Sequence, residues 1–295
     1  MSPAATTTAP FVTGTFAGLS ARLDEERQAG RRVGVVLTMG ALHDGHASLI
    51  RQAAAECDVV AVSVFVNPTQ FADPTDLTSY PRTLDADVAL AAGAGADVVF
   101  APPVTEVYPD WPTPPATTVS VRDLVNRWEG ASRPGHFDGV ATVVTKLLSA
   151  VGRCRTYFGE KDFQQLAVVR RVARDLSLPV EVVGSPTVRE PDGLALSSRN
   201  VRLSADERAA AVSLSRALAA GAGAWASGAD RVGVEAAMAG VVAGEPLVHL
   251  DYAVLVDAED LDPADAASGG PLRLLIAATV GPVRLIDNLD PRGDR

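Results

Sequence analysis

The sequence has few cysteines, no long apolar run and no excess of positive charge, and each absence excludes a class of protein. Its two cysteines, Cys57 and Cys154, are far apart, so no disulfide framework of a small secreted domain is expected. No stretch reaches the ~18 consecutive apolar residues that a membrane-spanning helix needs. The formal net charge of -10 argues against nucleic acid as a general partner, because binding to a phosphate backbone needs a basic face.

The first residues also lack the basic and apolar segments of a secretory signal, so we expect a cytoplasmic protein without membrane attachment. Residues 1 to about 14 are expected to form a loose tail. Hydrophobic residues make up 47% of the 295-residue chain and charged residues 21%, which is typical of a globular protein. This length allows one large domain or two ordinary ones, each with a core of its own.

Two histidines between a strand and a helix form the most informative local pattern. Residues 33–37 are an apolar run of strand length, and residues 47–56 carry apolar positions at helical spacing. His43 and His46 lie between them, where the helix N-terminus offers unpaired N–H groups and partial positive charge, which favours phosphate. Two alternatives stay open: the histidines cap an ordinary helix, or they bind a metal that needs further ligands.

Strands and helices alternate through the first two thirds of the chain. Strands are predicted at residues 59–66, 97–101, 155–158 and 179–184, with a further short strand near 117–121. Helices are predicted at residues 16–28, 84–92, 140–148 and 163–175. This order is typical of a parallel α/β sheet, and we predict a Rossmann-like domain of residues 1–189.

The last third has a different order. Alanine-rich helices after Ser204, with a break expected at Gly221 and Gly223, precede three strands, and Gly281-Pro282 is expected to join the last two as a hairpin. This α+β order predicts a second domain of residues 190–295. His249 lies on one of its strands and is expected to be structural.

Polar residues follow several predicted strands, at the sheet edge where ligands of open α/β proteins bind. Asn67 and Gln70 come after the 59–66 strand, and Lys161 comes after the 155–158 strand. Arg133 and His136 lie in a turn that could hold an anion or could simply be solvated.

Ser197, Ser198 and Arg199 form a polar segment. Hydroxyls beside a guanidinium suit triphosphate recognition. Capping of the next helix is the alternative.

Six ordered segments carry a resemblance to one family. They are His43–His46, Asn67–Phe71, Tyr80–Arg82, Arg133–Phe137, Phe158–Gln165 and Ser197–Asn200. In type and order they resemble the motifs of the pantothenate synthetases, nucleotidyltransferases with a "HIGH" signature. The resemblance implies condensation of pantoate with β-alanine, using ATP and Mg²⁺, through a pantoyl adenylate, with AMP and pyrophosphate as products. It also implies a homodimer. Because water must be kept from the adenylate, we further hypothesise that the C-terminal domain closes as a lid, with a hinge near Arg189.

The resemblance also implies roles for individual residues. The catalytic candidates are His46, which resembles the proton donor, with His43, Lys161 and Arg199. The implied ATP-binding residues are Met39, Gly40, Ala41, Leu42, His43, Asp44, Gly45, His46, Gly159, Glu160, Lys161, Asp162, Val188, Leu196, Ser197, Ser198 and Arg199. Gln70 and Gln165 are expected to hold pantoate. Further substrate-binding candidates are Asn67, Tyr80, Arg133 and His136.

Some positions depart from the family pattern. Leu37 and Leu196 stand where the family usually has proline and methionine. Ala86 and Leu90 replace polar residues expected near the metal, which leaves Asp87 as the remaining candidate ligand for Mg²⁺.

Two rival functions follow from these observations. The first is another nucleotidyltransferase with the same adenylate chemistry, or a cytidylyl transferase, and the neutral amides of Gln70 and Gln165 favour pantoate over either. The second is a non-catalytic nucleotide-binding protein. The presence of both histidines together with Lys161 and Arg199 argues against the second.

Overall fold

The computed structural model describes residues 9–71, 74–265 and 269–293. The chain divides into two compact units. The first consists of residues 1–158 and 168–185, and the second of residues 159–167 and 186–295. The sequence placed a single boundary after residue 189, whereas in the structure the short segment 159–167 groups with the C-terminal residues.

A six-stranded sheet forms the centre of the first unit. Its strands are β1 (Phe11–Thr13), β2 (Val33–Thr38), β3 (Val59–Val64), β4 (Val98–Phe100), β5 (Cys154–Gly159) and β6 (Val180–Ser185). The strand order is β1-β4-β3-β2-β5-β6, and β2 pairs in parallel with both β3 and β5. The order therefore reverses beside β2, and the carboxyl end of such a strand is where open α/β sheets bind their ligands.

Helices connect these strands. They are α1 (Phe16–Gln28), α2 (Asp44–Glu56), α3 (Pro74–Ser79), α4 (Leu84–Ala94), α5 (Val104–Val107), α6 (Glu129–Ser132), α7 (His136–Val151) and α8 (Phe163–Asp175). Residues 163–167 of α8 belong to the second unit. Val36, Ile50, Val62, Val99 and Tyr157 are at most 1% exposed and share one core cluster. Burial of the β-branched strands between helices explains their continuous apolar runs.

The second unit combines three helices with a three-stranded sheet. The helices are α9 (Ala205–Ala211), α10 (Ser213–Ala226) and α11 (Arg231–Ala243), and the strands are β7 (Val248–Asp257), β8 (Leu272–Val280) and β9 (Val283–Leu289). The sheet order is β7-β8-β9 with antiparallel pairing. The predicted hairpin between the last two strands is therefore confirmed.

Three local predictions were wrong. Residues 11–13 form a strand that pairs with β4, so the loose tail cannot extend to residue 14, and residues 1–8 lie outside the described part. Residues 117–121 form no strand. The helix break lies at Val212, between α9 and α10, and Gly221 is inside α10.

Gly221 has a packing function that the sequence could not reveal. A Cβ atom there would lie 2.6 Å from Cγ of Met238 in α11, so the glycine allows two helices to approach closely.

Within the described residues, no helix is both long enough and apolar enough to cross a bilayer.

Candidate functional site

The histidine turn joins β2 to α2 at the reversal point of the sheet. His43 is the N-cap residue of α2, and its Nδ1 accepts a hydrogen bond from the N–H of Gly45 at 3.1 Å. Nδ1 of His46 accepts a hydrogen bond from the N–H of His43 at 3.3 Å. The two ring centroids are 4.1 Å apart. The two imidazoles therefore cap the helix reciprocally, in the manner of a capping box.

This arrangement fixes the tautomer of both imidazoles. A backbone N–H can only donate, so Nδ1 of each ring carries no proton. When neutral, His43 and His46 must each hold their proton on Nε2. In its neutral form each ring therefore carries its hydrogen-bond donor at Nε2, and the role of His46 as proton donor stays a prediction.

Backbone N–H groups of the turn have acceptors inside the protein. The N–H of Gly40 donates to Oγ1 of Thr38 at 3.1 Å, and the N–H of Gly45 donates to His43. The sequence suggested that first-turn N–H groups meet phosphate. The N–H of Gly45 has a different partner in the structure, because it donates to the imidazole of His43, the N-cap residue. Binding of phosphate by this turn stays a prediction.

Asn67 organises the turn after β3, the 3-10 helix Pro68–Gln70. The side chain is 1% exposed, and its Oδ1 accepts from the N–H of Thr69 at 3.4 Å and from the hydroxyl of Tyr108 at 2.9 Å. Its Nδ2 donates to the carbonyl oxygen of Gly139 at 3.2 Å. Because the N–H of Thr69 can only donate and the carbonyl of Gly139 can only accept, the positions of Oδ1 and Nδ2 in the Asn67 amide are fixed.

The orientation of Asn67 in turn orients Gln70. Nδ2 of Asn67 donates to Oε1 of Gln70 at 3.0 Å. Nε2 of Gln70 is thereby the other end of its amide, and it lies 2.8 Å from Sδ of Met39. Gln70 therefore presents a donor beside the first residue of the histidine turn. A donor is the group that a carboxylate or hydroxyl oxygen of a substrate requires.

His136 and Arg133 support the backbone of Gln70. Nδ1 of His136 lies 2.9 Å from the carbonyl oxygen of Gln70, and Nη1 of Arg133 lies 3.0 Å from Nε2 of the same ring. A carbonyl oxygen and a guanidinium leave one consistent arrangement, with Nδ1–H donating and Nε2 accepting. His136 is 7% exposed. The expected direct contact of these two residues with substrate stays a prediction, and the geometry supports an indirect role.

Gly139 and Tyr108 belong to this site, and sequence reasoning did not select either of them. A Cβ atom on Gly139 would lie 2.5 Å from the carbonyl oxygen of Thr69, so only glycine allows α7 to approach the Pro68–Gln70 turn. Burial raises the pKa of Tyr108. Tyr108 follows α5 in a proline-rich stretch, and no local signal distinguishes it.

Tyr80 packs its ring edge-on against Phe71, with centroids 5.6 Å apart. It is half-buried, and its assignment to substrate binding stays a prediction.

Asp87, the candidate metal ligand, is only 3% exposed. Its two oxygens accept hydrogen bonds from the N–H groups of Ala41 and Leu42. Among the described residues, no group of three or more histidine, cysteine, aspartate or glutamate side chains could hold a metal. These observations do not fit Mg²⁺ held by side chains of the residues that the structure describes.

The second unit contains a cationic pocket. Lys161, Ser197 and Arg199 line it together with Asp287, Leu194 and Ala195. Nζ of Lys161 lies 3.3 Å from Oδ1 of Asp162. The structure thus brings together the lysine and arginine that the sequence selected as phosphate ligands, although they lie 38 residues apart in the printed sequence.

Residues of the C-terminal sheet form hydrogen bonds with the segment that carries Lys161. Nδ2 of Asn288 donates to the carbonyl oxygens of Glu160 and Lys161, both at 2.9 Å. Nη2 of Arg273 donates to Oε2 of Glu160 at 2.9 Å, and its guanidinium lies 4.5 Å from the ring centroid of Phe163. Glu160, expected to contact ATP, therefore has a structural partner. Arg273 and Asn288 had no motif by which sequence could identify them.

The segment before Ser197 is also anchored within the second unit. Arg189 forms a bidentate pair with Asp287, with distances of 2.7 and 3.0 Å. The N–H of Leu196 donates to the carbonyl oxygen of Val188 at 2.9 Å. Arg189, the expected hinge, is thus the anchor of a short antiparallel segment, and the closing motion stays a prediction.

Gln165 is half-buried in the first turn of α8, and Gly159 is half-buried at the end of β5. Ser198 begins another 3-10 helix, Ser198–Arg202. Asp44 is exposed at the first position of α2.

Comparisons with known proteins agree with this geometry. The family model described as pantoate-beta-alanine ligase matches residues 12–290. A pantothenate synthetase of Salinispora arenicola (strain CNS-205) is 56% identical over 87% of this chain and 90% of its own. One of Rubrobacter xylanophilus (strain DSM 9941) is 54% identical over 89% of this chain and 92% of its own.

Solved structures agree as well. The pantothenate synthetase of Thermus thermophilus superposes with a TM-score of 0.87 at 47% identity, covering 95% of this chain and 99% of that one. A pantoate-beta-alanine ligase of Francisella tularensis, complexed with beta-gamma ATP and beta-alanine, gives a TM-score of 0.76 at 32% identity over 97% and 99% of the two chains. With sequence motifs, fold and nearly full-length similarity in agreement, the chain belongs to the pantoate-beta-alanine ligase family.

Proposed function

We propose that this chain joins pantoate to β-alanine at the expense of ATP, through a pantoyl adenylate. The observation that carries the proposal is the fixed direction of the Gln70 amide. Its Nε2 donor lies against Met39, at the start of the turn that presents two imidazole Nε2–H groups. One edge of the first unit therefore offers donors both to a small acid and to a phosphate.

In the first step, an oxygen of the pantoate carboxylate attacks the α-phosphorus of ATP and pyrophosphate leaves. Both reactants are anions, so the barrier falls mainly through positioning and through cations or donors around the phosphate oxygens. In the first unit, Gln70 binds pantoate and the Nε2–H groups of His43 and His46 bind phosphate oxygens. In the second unit, Lys161 and Arg199 supply positive charge to phosphate oxygens.

In the second step, the amine of β-alanine attacks the acyl carbon of the adenylate and AMP leaves. The amine loses a proton as the amide forms. Negative charge develops on the departing phosphate oxygen, and His46 can stabilise it by donating a hydrogen bond from Nε2–H. Gln165 is the second amide proposed to hold pantoate. Water must be excluded while the adenylate exists, because its hydrolysis would consume ATP without product.

Three further properties are part of the proposal. Mg²⁺ would enter with ATP and would neutralise charge on its phosphates, and the buried carboxylate of Asp87, which already accepts hydrogen bonds, would not hold it. The protein works as a homodimer in the cytoplasm. Nucleic acid is not a partner, because the net charge is -10.

Exchange of labelled pyrophosphate into ATP tests the proposal. Exchange is expected with pantoate in the absence of β-alanine, and addition of β-alanine should give AMP and pantothenate in equal amounts. His46→Ala should lower the exchange rate by roughly a hundredfold.

Two outcomes would contradict the proposal. Exchange that needs CTP in place of ATP would favour a cytidylyl transferase. ATP binding without any exchange would favour a non-catalytic nucleotide-binding protein.

A further inference from the structure

Asp87 is a nearly buried carboxylate in the first turn of α4, with 3% of its surface exposed. Its Oδ1 accepts the N–H of Leu42 at 2.7 Å, and its Oδ2 accepts the N–H of Ala41 at 3.1 Å. The hydroxyl of Thr83 lies 3.3 Å from both oxygens. A buried carboxylate needs such donors, and this one finds two of them in the turn that precedes the histidines.

That turn has a backbone conformation that needs external support. Gly40 has φ 83° and Ala41 has φ 49°, and the left-handed region is unfavourable for a residue with a Cβ atom. The turn is also tightly packed, since a Cβ atom on Gly40 would lie 3.1 Å from Oδ2 of Asp87. The two hydrogen bonds to Asp87 thus offset a local conformational cost.

The contacts of Asp87 disagree with a metal-binding role. Mg²⁺ requires oxygen ligands at about 2.0–2.1 Å in an octahedral arrangement. To reach it, Asp87 would have to release the N–H groups of Ala41 and Leu42. Ala86 and Leu90, on the same helix, supply no oxygen from their side chains.

We propose that Asp87 positions the Gly40–Leu42 turn ahead of the two histidines and is not a metal ligand. His43 follows Leu42 directly, and its N–H is the donor that orients the ring of His46. A shift of Leu42 therefore moves the group that orients the proposed proton donor. This catalytic consequence rests on the proposed function, whereas the hydrogen bonding of Asp87 does not.

Asp87→Asn is the first test, with Asp85→Asn as a matched control in the same helical turn. The amide of Asp87→Asn puts a donor against a backbone donor, whereas Asp85 is exposed. We expect Asp87→Asn to lower kcat of pantoate-dependent exchange about 10- to 100-fold and to leave the Mg²⁺ concentration for half-maximal rate unchanged. Asp85→Asn should change neither quantity.

A metal-ligand role would give the opposite pattern. The Mg²⁺ requirement of Asp87→Asn would rise about 10- to 100-fold, and excess Mg²⁺ would restore the rate. Either result overturns the proposal.

Hydrogen exchange gives a second test that needs no turnover and no variant. The amides of Ala41 and Leu42 should be protected in wild-type protein in the presence of a chelator, and addition of Mg²⁺ alone should leave their protection unchanged. Loss of that protection on Mg²⁺ addition would overturn the proposal.

If Asp87→Asn folds, the amides of Ala41 and Leu42 should exchange at least about tenfold faster in this variant, with the amides of β2 unchanged. Because exchange of protons is measured directly, this outcome is independent of whether the chain makes pantothenate.

Discussion

Gln70→Glu tests whether a hydrogen-bond donor at this position binds the acid substrate. The substitution keeps the shape of the side chain. Nδ2 of Asn67 would go on donating to one oxygen, as it now does to Oε1 at 3.0 Å. The second oxygen would then replace Nε2, so that an anionic acceptor faces the substrate carboxylate.

The expected loss follows from two contributions. A hydrogen bond to a charged group contributes about 1.5–3 kcal/mol, and a like charge at close range adds repulsion that is itself worth several kcal/mol when poorly solvated. A conservative total of about 3 kcal/mol corresponds to roughly a 150-fold rise in KM for pantoate. The KM for ATP should change little.

Pantoate-dependent pyrophosphate exchange at varied pantoate and ATP measures both constants. Gln28→Glu introduces the same charge at an exposed position of the first unit and should leave both constants unchanged. Thermal unfolding of both variants checks that the fold is intact. If Gln70→Glu alters KM for pantoate less than about threefold, the argument from amide orientation is wrong.

Three further predictions concern separate parts of the molecule. Lys161→Ala should lower adenylate formation about a hundredfold in the exchange assay, while Arg174→Ala, at an exposed position near the end of α8, should not, and equal rates would contradict the assignment. Gly139→Ala should raise KM for pantoate, because its methyl group would lie 2.5 Å from a backbone carbonyl oxygen of the neighbouring 3-10 turn; unchanged kinetics would mean that the turn adapts. The hydrogen bond from Arg208 lowers the pKa of Glu190, so this carboxylate stabilises the fold above its unfolded-state pKa, and the contribution is lost as pH falls through the lower folded-state value. The melting temperature of Glu190→Gln should therefore fall less than that of the wild type when the pH is lowered. Parallel plots of melting temperature against pH for the two proteins would refute the linkage.

Much of the secondary structure could be predicted from sequence because its causes are local. The first helix has the predicted bounds, Phe16–Gln28. The strand and helix around the two histidines were expected from apolar periodicity, which depends only on neighbouring residues. The hairpin between β8 and β9 followed from a Gly-Pro pair between two apolar runs.

The partners of the site residues could not be predicted in the same way. Tyr108 is 41 residues from Asn67 in the sequence and Gly139 is 72 residues from it, yet both form hydrogen bonds with Asn67. Asp87 accepts a hydrogen bond from the N–H of Ala41, which lies 46 residues earlier in the sequence. No pattern within a short window contains such information, so the sequence could not show these partners, and the assignments of Asn67 to substrate and Asp87 to a metal stay predictions.

The sequence by itself determined the family, the order of strands and helices, and the residue types that can bind a phosphate and a small acid. Only the tertiary structure decided the direction of the Gln70 amide, the proton position on each neutral imidazole and the hydrogen-bond partners of Asp87. The physical reason is that periodicity and motifs record the preferences of adjacent residues. A hydrogen bond between distant residues acquires its direction only when folding brings a particular donor to a particular acceptor.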